Sequence, residues 1–168
     1  CKVKKNYNNL LTIIIPRHVH RIETIKNDLN KLGLKVILSS NLNQLNEETD
    51  VLLINSYGET SKFFNISKSV FIGGSIINRG GQNPIEPSKL GCKIFHGPNV
   101  HNFKDVYIYL KSLGVSKEVN NVEELSNSLI EEFESNNKNN DHNVEKIDNY
   151  GLNILNNVFK EIQIYIKT

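Results

Sequence analysis

The sequence contains no methionine, no tryptophan and only two cysteines, Cys1 and Cys92. Two cysteines without a spaced cluster of histidines make neither a disulfide framework nor a zinc site. A reducing compartment, with both thiols free, is therefore the default expectation. Because the chain starts at Cys1 and lacks an initiator methionine, we expect it to be a piece of a longer protein.

Long apolar runs and an excess of one charge are also missing. The longest apolar run, from Leu10 to Ile15, is interrupted by Thr12 and ended by Pro16. It is far shorter than the roughly 18 residues of a membrane span and is typical of a buried strand. The 20 basic and 18 acidic residues give a net charge of +2, so the charge balance does not favour nucleic acid as the main partner.

What is present is a chain of 168 residues, 38% hydrophobic and 23% charged, which is enough for one domain with a real core. Short apolar runs alternate with amphipathic stretches, a pattern typical of βαβ units and a parallel sheet. The sequence predicts one doubly wound α/β domain over residues 1–134, an Asn-rich linker over 135–142 and a C-terminal helix over 143–168. The predicted strands cover residues 10–15, 35–38, 50–54, 69–72, 93–95 and 115–119; the predicted helices cover 19–32, 58–64, a short stretch ending near Gly91, 103–113 and 122–133.

Three segments follow predicted strands, and ligands of open parallel sheets bind beyond the carboxyl ends of the strands. They are Pro16-Arg17-His18, Tyr57-Gly58-Glu59 and the glycine-rich stretch 73–86. Glycines let backbone N–H groups approach a phosphate, and a helix N-terminus adds its dipole. Arg17 offers a fork of donors that matches a phosphate, whereas Glu59 and Glu86 can accept hydrogen bonds from ribose hydroxyls or a base amine. Together the segments predict a pocket for a phosphorylated nucleotide.

Structural explanations compete with this prediction. Asn83-Pro84-Ile85-Glu86 is also a good helix start, with Asn as the N-cap and Glu closing a capping box. A single arginine after a strand is commonly solvated, and Gly73-Gly74 can form a simple turn. The histidines are too scattered to indicate a metal site or a catalytic dyad; they are His18, His20, His96 and His101.

Several well-known motifs are missing. There is no Gly-x-x-x-x-Gly-Lys-Ser/Thr loop, which excludes a P-loop kinase or ATPase. No Gly-x-Gly-x-x-Gly follows the first strand, and no Gly-x-Ser-x-Gly elbow is present. The latter two absences argue against an ordinary dinucleotide-binding domain and against an α/β-hydrolase.

The order of several short motifs resembles the C-terminal half of the Kdo (3-deoxy-D-manno-octulosonic acid) transferases, over residues 11–133. The closing stretch Asn149-Tyr150-Gly151-Leu152 also looks like that family's last helix. Five motifs in register make the resemblance specific. They are Ile15-Pro16-Arg17-His18, Gly58-Glu59, Phe71-Ile72-Gly73-Gly74-Ser75, Gly80-Gly81-Gln82-Asn83-Pro84-Ile85-Glu86-Pro87, and Gly97-Pro98 with His101-Asn102-Phe103.

The resemblance implies a two-domain GT-B glycosyltransferase that moves Kdo from CMP-Kdo to lipid A precursor (lipid IVA) in lipopolysaccharide biosynthesis. The enzyme would work at the cytoplasmic face of the bacterial inner membrane, peripherally or with an N-terminal anchor. In that architecture the Rossmann-like C-terminal domain binds the donor, and the N-terminal domain binds the lipid and supplies the base. This chain would then be the donor-binding half, without a catalytic residue of its own and inactive alone.

The resemblance also assigns roles to residues. We expect no cofactor and no metal, because the sequence offers no acidic pair for a metal and cationic groups can carry the charge of the phosphate. Two departures from the family pattern are Tyr57, where the family often has Met, and Asn55, where it has an acidic residue. The first of these leaves the role of the Tyr57 side chain open. The CMP-binding set would be Pro16, Arg17, Tyr57, Gly58, Glu59, Asn83, Pro84, Ile85 and Glu86, and the phosphate and sugar loop would be Gly73, Gly74, Ser75, Gly80, Gly81 and Gln82.

Two other classes of function remain open from the sequence. A different GT-B transferase or a sugar-nucleotide epimerase would share the sheet and the glycine loop but take a UDP or GDP sugar. A non-catalytic interaction module can also use this fold. Preference among CMP, UMP, UDP and GDP distinguishes these alternatives.

Overall fold

The computed structural model describes residues 2–135 and 140–166. The chain divides into two compact units, Cys1–Phe63 and Phe64–Thr168. Each unit is built around a parallel sheet of three short strands.

The first unit contains β1 (Thr12–Ile14), β2 (Val36–Leu38) and β3 (Val51–Leu53) in the order β1-β3-β2. The central strand β3 is fully buried, because it has a hydrogen-bonded neighbour on each side and only apolar side chains. Two helices accompany the sheet, α1 (Lys2–Asn6) and α2 (Ile22–Lys31). A further helix, α3 (Thr60–Ile66), contains the division point between the two units.

The second unit contains β4 (Ser69–Phe71), β5 (Lys93–His96) and β6 (Ser116–Glu118) in that order. Its core consists of apolar side chains from the sheet and the helices, and β5 provides the most deeply buried of them. Its helices are α4 (Ile85–Lys89), α5 (Lys104–Ser112), α6 (Val122–Glu134) and α7 (Asn140–Ile166).

The long helix α7 packs on the second unit through its first half. Ile147 is buried in the core, and Tyr150 stacks on Tyr109 of α5 with the ring centroids 4.0 Å apart and the planes 13° from parallel. The Tyr109 hydroxyl donates to the Lys146 carbonyl at 3.1 Å, and Lys89 of α4 pairs with Asp148 at 2.6 Å. Beyond Gly151 the described apolar side chains of α7 are about half exposed.

The predicted fold class, α/β with parallel strands, is confirmed. The strands pair in two groups of three. Five of them are shorter than predicted, and β5 is one residue longer than the predicted strand over 93–95. Helix α7 already begins at Asn140, within the predicted linker 135–142; residues 136–139, Cys1, Lys167 and Thr168 lie outside the described residues. Helix α1 and the 3-10 stretch Ser39–Gln44 were not predicted. None of the helices in the described ranges is both long and apolar enough to cross a membrane.

Candidate functional site

In the first unit, two of the predicted segments lie next to each other. Pro16 and Arg17 follow β1, and Tyr57 follows β3, its neighbour in the sheet. The backbone N–H of Val19, two residues beyond Arg17, donates to the Tyr57 hydroxyl at 3.4 Å. The side chains of Arg17 and Tyr57 are exposed, so both are accessible at this carboxyl edge of the sheet.

Gly58 and Glu59 form the entrance to α3. Gly58 has a φ of +81°, a left-handed conformation that other residues rarely adopt, and a Cβ there would meet open space. The Glu59 carboxylate accepts hydrogen bonds from the Ser56 hydroxyl at 2.5 Å and from Lys62 at 3.2 Å. These hydrogen bonds hold the pKa of Glu59 below its usual range. Glu59 is thus an ionised acceptor that already has local partners.

Asn55 has a role that the sequence did not reveal. Its side-chain oxygen accepts from the Ser39 hydroxyl at 2.7 Å and from the Ser40 N–H at 3.1 Å, and its own N–H donates to the Ser39 hydroxyl. Asn55 therefore joins the carboxyl ends of β2 and β3. The only sequence signal was its departure from the acidic residue of the family pattern.

In the second unit, the glycine loop (residues 73–82) is held by the β5–α5 connection (residues 97–103). Asn99 donates from its backbone to the Ser75 carbonyl at 2.8 Å and from its side chain to the Ile76 carbonyl at 2.9 Å. Asn102 donates to the Arg79 and Gly80 carbonyls at 3.4 and 3.3 Å. The bonded oxygens are all loop carbonyls, so this part of the backbone is turned towards the connection.

The Ser75 side chain is fully buried within this arrangement. Its hydroxyl donates to the Ile72 carbonyl at 2.5 Å and accepts from the Gly97 N–H at 2.8 Å. A Cβ at Gly97 would lie 2.4 Å from the Ser75 carbonyl oxygen, so only glycine allows this approach. We call these contacts between Ser75 and Gly97 the clasp.

The predicted Asn83–Glu86 segment does form a helix start, in a different register from a simple Asn cap. Helix α4 begins at Ile85, and Pro84 is the residue before it. The Asn83 side chain accepts from the Ile85 N–H at 3.0 Å, which fixes the turn into the helix. Pro84 is buried, whereas Asn83 and Glu86 are exposed. Because α4 has only five residues, its dipole is short, and the exposed side chains are the stronger candidates for ligand contact.

His96 and Tyr107 lie under the glycine loop. The Tyr107 hydroxyl donates to the Gln82 carbonyl at 2.9 Å, and the His96 ring lies 4.4 Å from the Tyr107 ring. The Nδ1 atom of His96 is 2.7 Å from the Gly97 carbonyl, and Nε2 is buried without a hydrogen-bond partner among the described residues. Burial lowers the pKa of His96. This histidine is a buried residue of the core.

No group of three or more His, Cys, Asp or Glu side chains within residues 2–135 and 140–166 is arranged to hold a metal ion. His18 and His20 stack on each other with the ring centroids 5.4 Å apart. Taken separately, the first unit offers the exposed side chains of Arg17 and Tyr57 to a ligand, and the second unit offers the glycine loop with the exposed Asn83 and Glu86.

The chain is similar to several bacterial proteins over most of its length. It is 31% identical over 130 residues to the 3-deoxy-D-manno-octulosonic acid transferase of Aquifex aeolicus, and 30% identical over 149 residues to that of Haemophilus influenzae. These alignments cover 77% and 89% of the chain. The resemblance to Kdo transferases is confirmed.

The Kdo transferases are longer proteins: the chain spans about a third of their length, 35% and 34% in these two cases. A bifunctional glycosyltransferase/methyltransferase of Fusobacterium nucleatum is 29% identical over 144 residues, 22% of its own length. No protein-family model matches the chain.

A solved structure has the same fold. The C-terminal CMP-Kdo binding domain of WaaA from Acinetobacter baumannii superposes with a TM-score of 0.71 and 23% sequence identity. The match covers 87% of this chain and 76% of that domain. The α/β fold predicted from the sequence is therefore also the fold of this solved domain.

Proposed function

We propose that this chain is the CMP-Kdo-binding part of a Kdo transferase. The similarity to Kdo transferases supports the choice of sugar, and the likeness to a CMP-Kdo binding domain supports the choice of nucleotide. The observation that carries the proposal is the orientation of the glycine loop. Its carbonyl oxygens at Ser75, Ile76, Arg79 and Gly80 accept hydrogen bonds from the β5–α5 connection. A ligand at the opposite side of the loop therefore meets backbone N–H groups, which suit a phosphate.

In the whole enzyme the acceptor hydroxyl would attack the anomeric carbon of Kdo. A bond forms from that oxygen to the carbon, the bond from the carbon to the phosphate oxygen breaks, and CMP leaves with the electron pair. The hydroxyl proton passes to a base that we place outside this chain. Donors aimed at the departing phosphate stabilise its developing charge. We assign that role to the glycine loop in the second unit.

The proposal extends to the whole protein's acceptor and location. The acceptor would be a lipid A precursor, as the resemblance to Kdo transferases implies, and the enzyme would then work at the cytoplasmic face of the bacterial inner membrane. The lipid would be bound by the part of the protein outside this chain. We propose no cofactor and no metal, because backbone donors of the glycine loop can carry the charge of the phosphate.

Calorimetry with CMP, UMP, UDP and GDP tests the proposal on the 168-residue chain. We expect CMP to bind most tightly. A preference for UDP or GDP would assign the chain to another GT-B transferase or to an epimerase, and binding of none of the four would favour an interaction module.

The predicted CMP-binding residues of the first unit need a separate test. We expect Arg17→Ala to weaken CMP binding by about tenfold or more, because a charge-assisted contact contributes roughly 1.5–3 kcal/mol. Cytidine, which lacks the phosphate, should bind as before. Arg21→Ala removes another exposed arginine of the same unit and serves as the control. Equal CMP affinity in the parent chain, Arg17→Ala and Arg21→Ala would show that Arg17 does not contact CMP.

Glu86 is tested in the same way in the second unit. A carboxylate that accepts from ribose hydroxyls loses about tenfold in nucleotide affinity when it is changed to an amide. Glu86→Gln should therefore weaken both CMP and cytidine. Unchanged binding of both would leave Glu86 with a purely structural role at the start of α4.

A further inference from the structure

We propose that Ser75 is a positioning residue that shapes the glycine loop for the donor phosphate; this inference rests on the proposed function. The Ser75 side chain is 0% exposed, so its hydroxyl does not touch a ligand in this conformation. It acts through the loop, because it joins the Ile72 carbonyl at the end of β4 to the Gly97 N–H at the end of β5.

The clasp lies where the glycine loop begins, directly after β4 of the second unit. Ile72 and Gly97 follow neighbouring parallel strands, and Phe71 of β4 is in register with Phe95 of β5. The Gly97 backbone approaches so closely that any Cβ would collide with the Ser75 backbone. Ser75 therefore fixes the direction in which residues 76–82 start.

Two further residues, Asn99 and Asn102, hold the rest of the glycine loop in place. Asn99 binds the Ser75 and Ile76 carbonyls, and Asn102 binds the Arg79 and Gly80 carbonyls. A Cβ at Gly80 would lie 2.2 Å from the Asn102 side chain, so the loop is also closely packed at its far end. The loop is thus preorganised before any ligand arrives, and preorganised donors lose less free energy on binding.

The decisive variant is Ser75→Ala, which removes a donor and an acceptor from two buried backbone groups. The matched control is Ser126→Ala, because Ser126 is also buried and its hydroxyl donates to a backbone carbonyl, that of Val122 in α6. A merely structural serine would lower the unfolding temperature without changing affinity in the folded protein. A positioning serine changes affinity, and it does so only for ligands that carry the phosphate.

Calorimetry with CMP and cytidine and hydrogen exchange at the Gly97 amide form the test. We expect Ser75→Ala to bind CMP about tenfold more weakly, to bind cytidine as the parent chain does, and to exchange the Gly97 amide faster. Ser126→Ala should match the parent chain in CMP affinity, in cytidine affinity and in the exchange rate of the Gly97 amide. Should Ser75→Ala fail to fold, Asn99→Ala removes the side-chain bond to the Ile76 carbonyl and should give a smaller loss, about threefold, again only for CMP.

The outcomes separate the two proposals. If the parent chain does not bind CMP, the proposed function fails. If the parent binds CMP and Ser75→Ala binds it equally well, the positioning role is overturned while the proposed function stands. Equal losses for CMP and cytidine would also overturn it, because they would show a general distortion. If Ser75→Ala unfolds, unchanged CMP affinity in Asn99→Ala overturns it as well.

Discussion

Cys92 lies at the entrance of β5 and is enclosed by backbone. Its sulfur is 3.2 Å from the Phe64 carbonyl and 3.3 Å from the Ser67 carbonyl, and the side chain is 1% exposed. Burial raises the pKa of the thiol to about 11. We therefore expect Cys92 to react with iodoacetamide at pH 8 only after denaturation, as followed by mass spectrometry. Rapid modification of the folded chain at this residue would contradict the buried position.

His96 predicts a pH dependence of stability. Its pKa is lowered in the folded chain, so below about pH 6.5 the unfolded chain takes up a proton that the folded chain resists. The contribution of the neutral His96 imidazole to the free energy of unfolding is thus fully present above that pH, and it is lost as the pH falls. We expect the free energy of unfolding, measured with urea between pH 7.5 and 5, to fall less steeply with decreasing pH for His96→Phe than for the parent chain.

The control for this prediction is His20→Asn, because His20 is exposed. The free energy of unfolding of His20→Asn should fall with pH as steeply as that of the parent chain. Identical pH profiles for the parent and His96→Phe would mean that His96 titrates alike in both states.

Ser75 illustrates what the sequence could and could not predict at this scale. The Gly73-Gly74-Ser75 motif placed Ser75 on a ligand-binding loop. Its hydroxyl, however, is directed to Gly97, 22 residues further along the chain. The position of a residue in the sequence predicts which loop contains it. The direction in which its side chain points depends on contacts between segments that are distant in the sequence.

At the scale of elements, the presence of the strands and of the larger helices follows from the apolar pattern, and their boundaries do not. A linker was predicted over residues 135–142 because Asn has a low helix propensity, whereas helix α7 already begins at Asn140. The tertiary contacts of Ile147, Tyr150 and Asp148 stabilise it there. Tertiary packing overrides local preference most easily in such polar stretches.

The second half of α7 predicts association of the chain. Leu152, Leu155, Phe159 and Ile162 are 48–58% exposed and follow a spacing of three and four residues, so they share one face of the helix. Exposed apolar faces of this kind are usually covered by another protein surface. We expect the isolated chain to show a concentration-dependent mass in light scattering.

A double change, Leu155→Ser with Phe159→Ser, should shift the mass to that of a monomer. Asn153→Ser with Asn157→Ser changes polar positions of the same helix and should leave the association as it is. A monomeric parent chain whose α7 amides are fully protected from hydrogen exchange would contradict this prediction.

At the scale of the whole molecule, the chain spans about a third of the length of its transferase relatives. We expect it to bind CMP-Kdo but not to transfer Kdo, because we place the base and the acceptor site outside it. Radiolabelled CMP-Kdo and lipid IVA would show this by thin-layer chromatography, with a full-length transferase as the positive control. Glycosylated lipid formed by the purified chain would contradict the assignment of the base.

The stacked pair of Tyr109 and Tyr150 gives the protein a built-in optical reporter. The chain has no tryptophan, so its near-ultraviolet circular dichroism comes mainly from its six tyrosines. Two nearly parallel rings 4.0 Å apart couple their electronic transitions, and that coupling exists only while α7 rests on α5. Detachment of one helix can therefore be followed spectroscopically without any label.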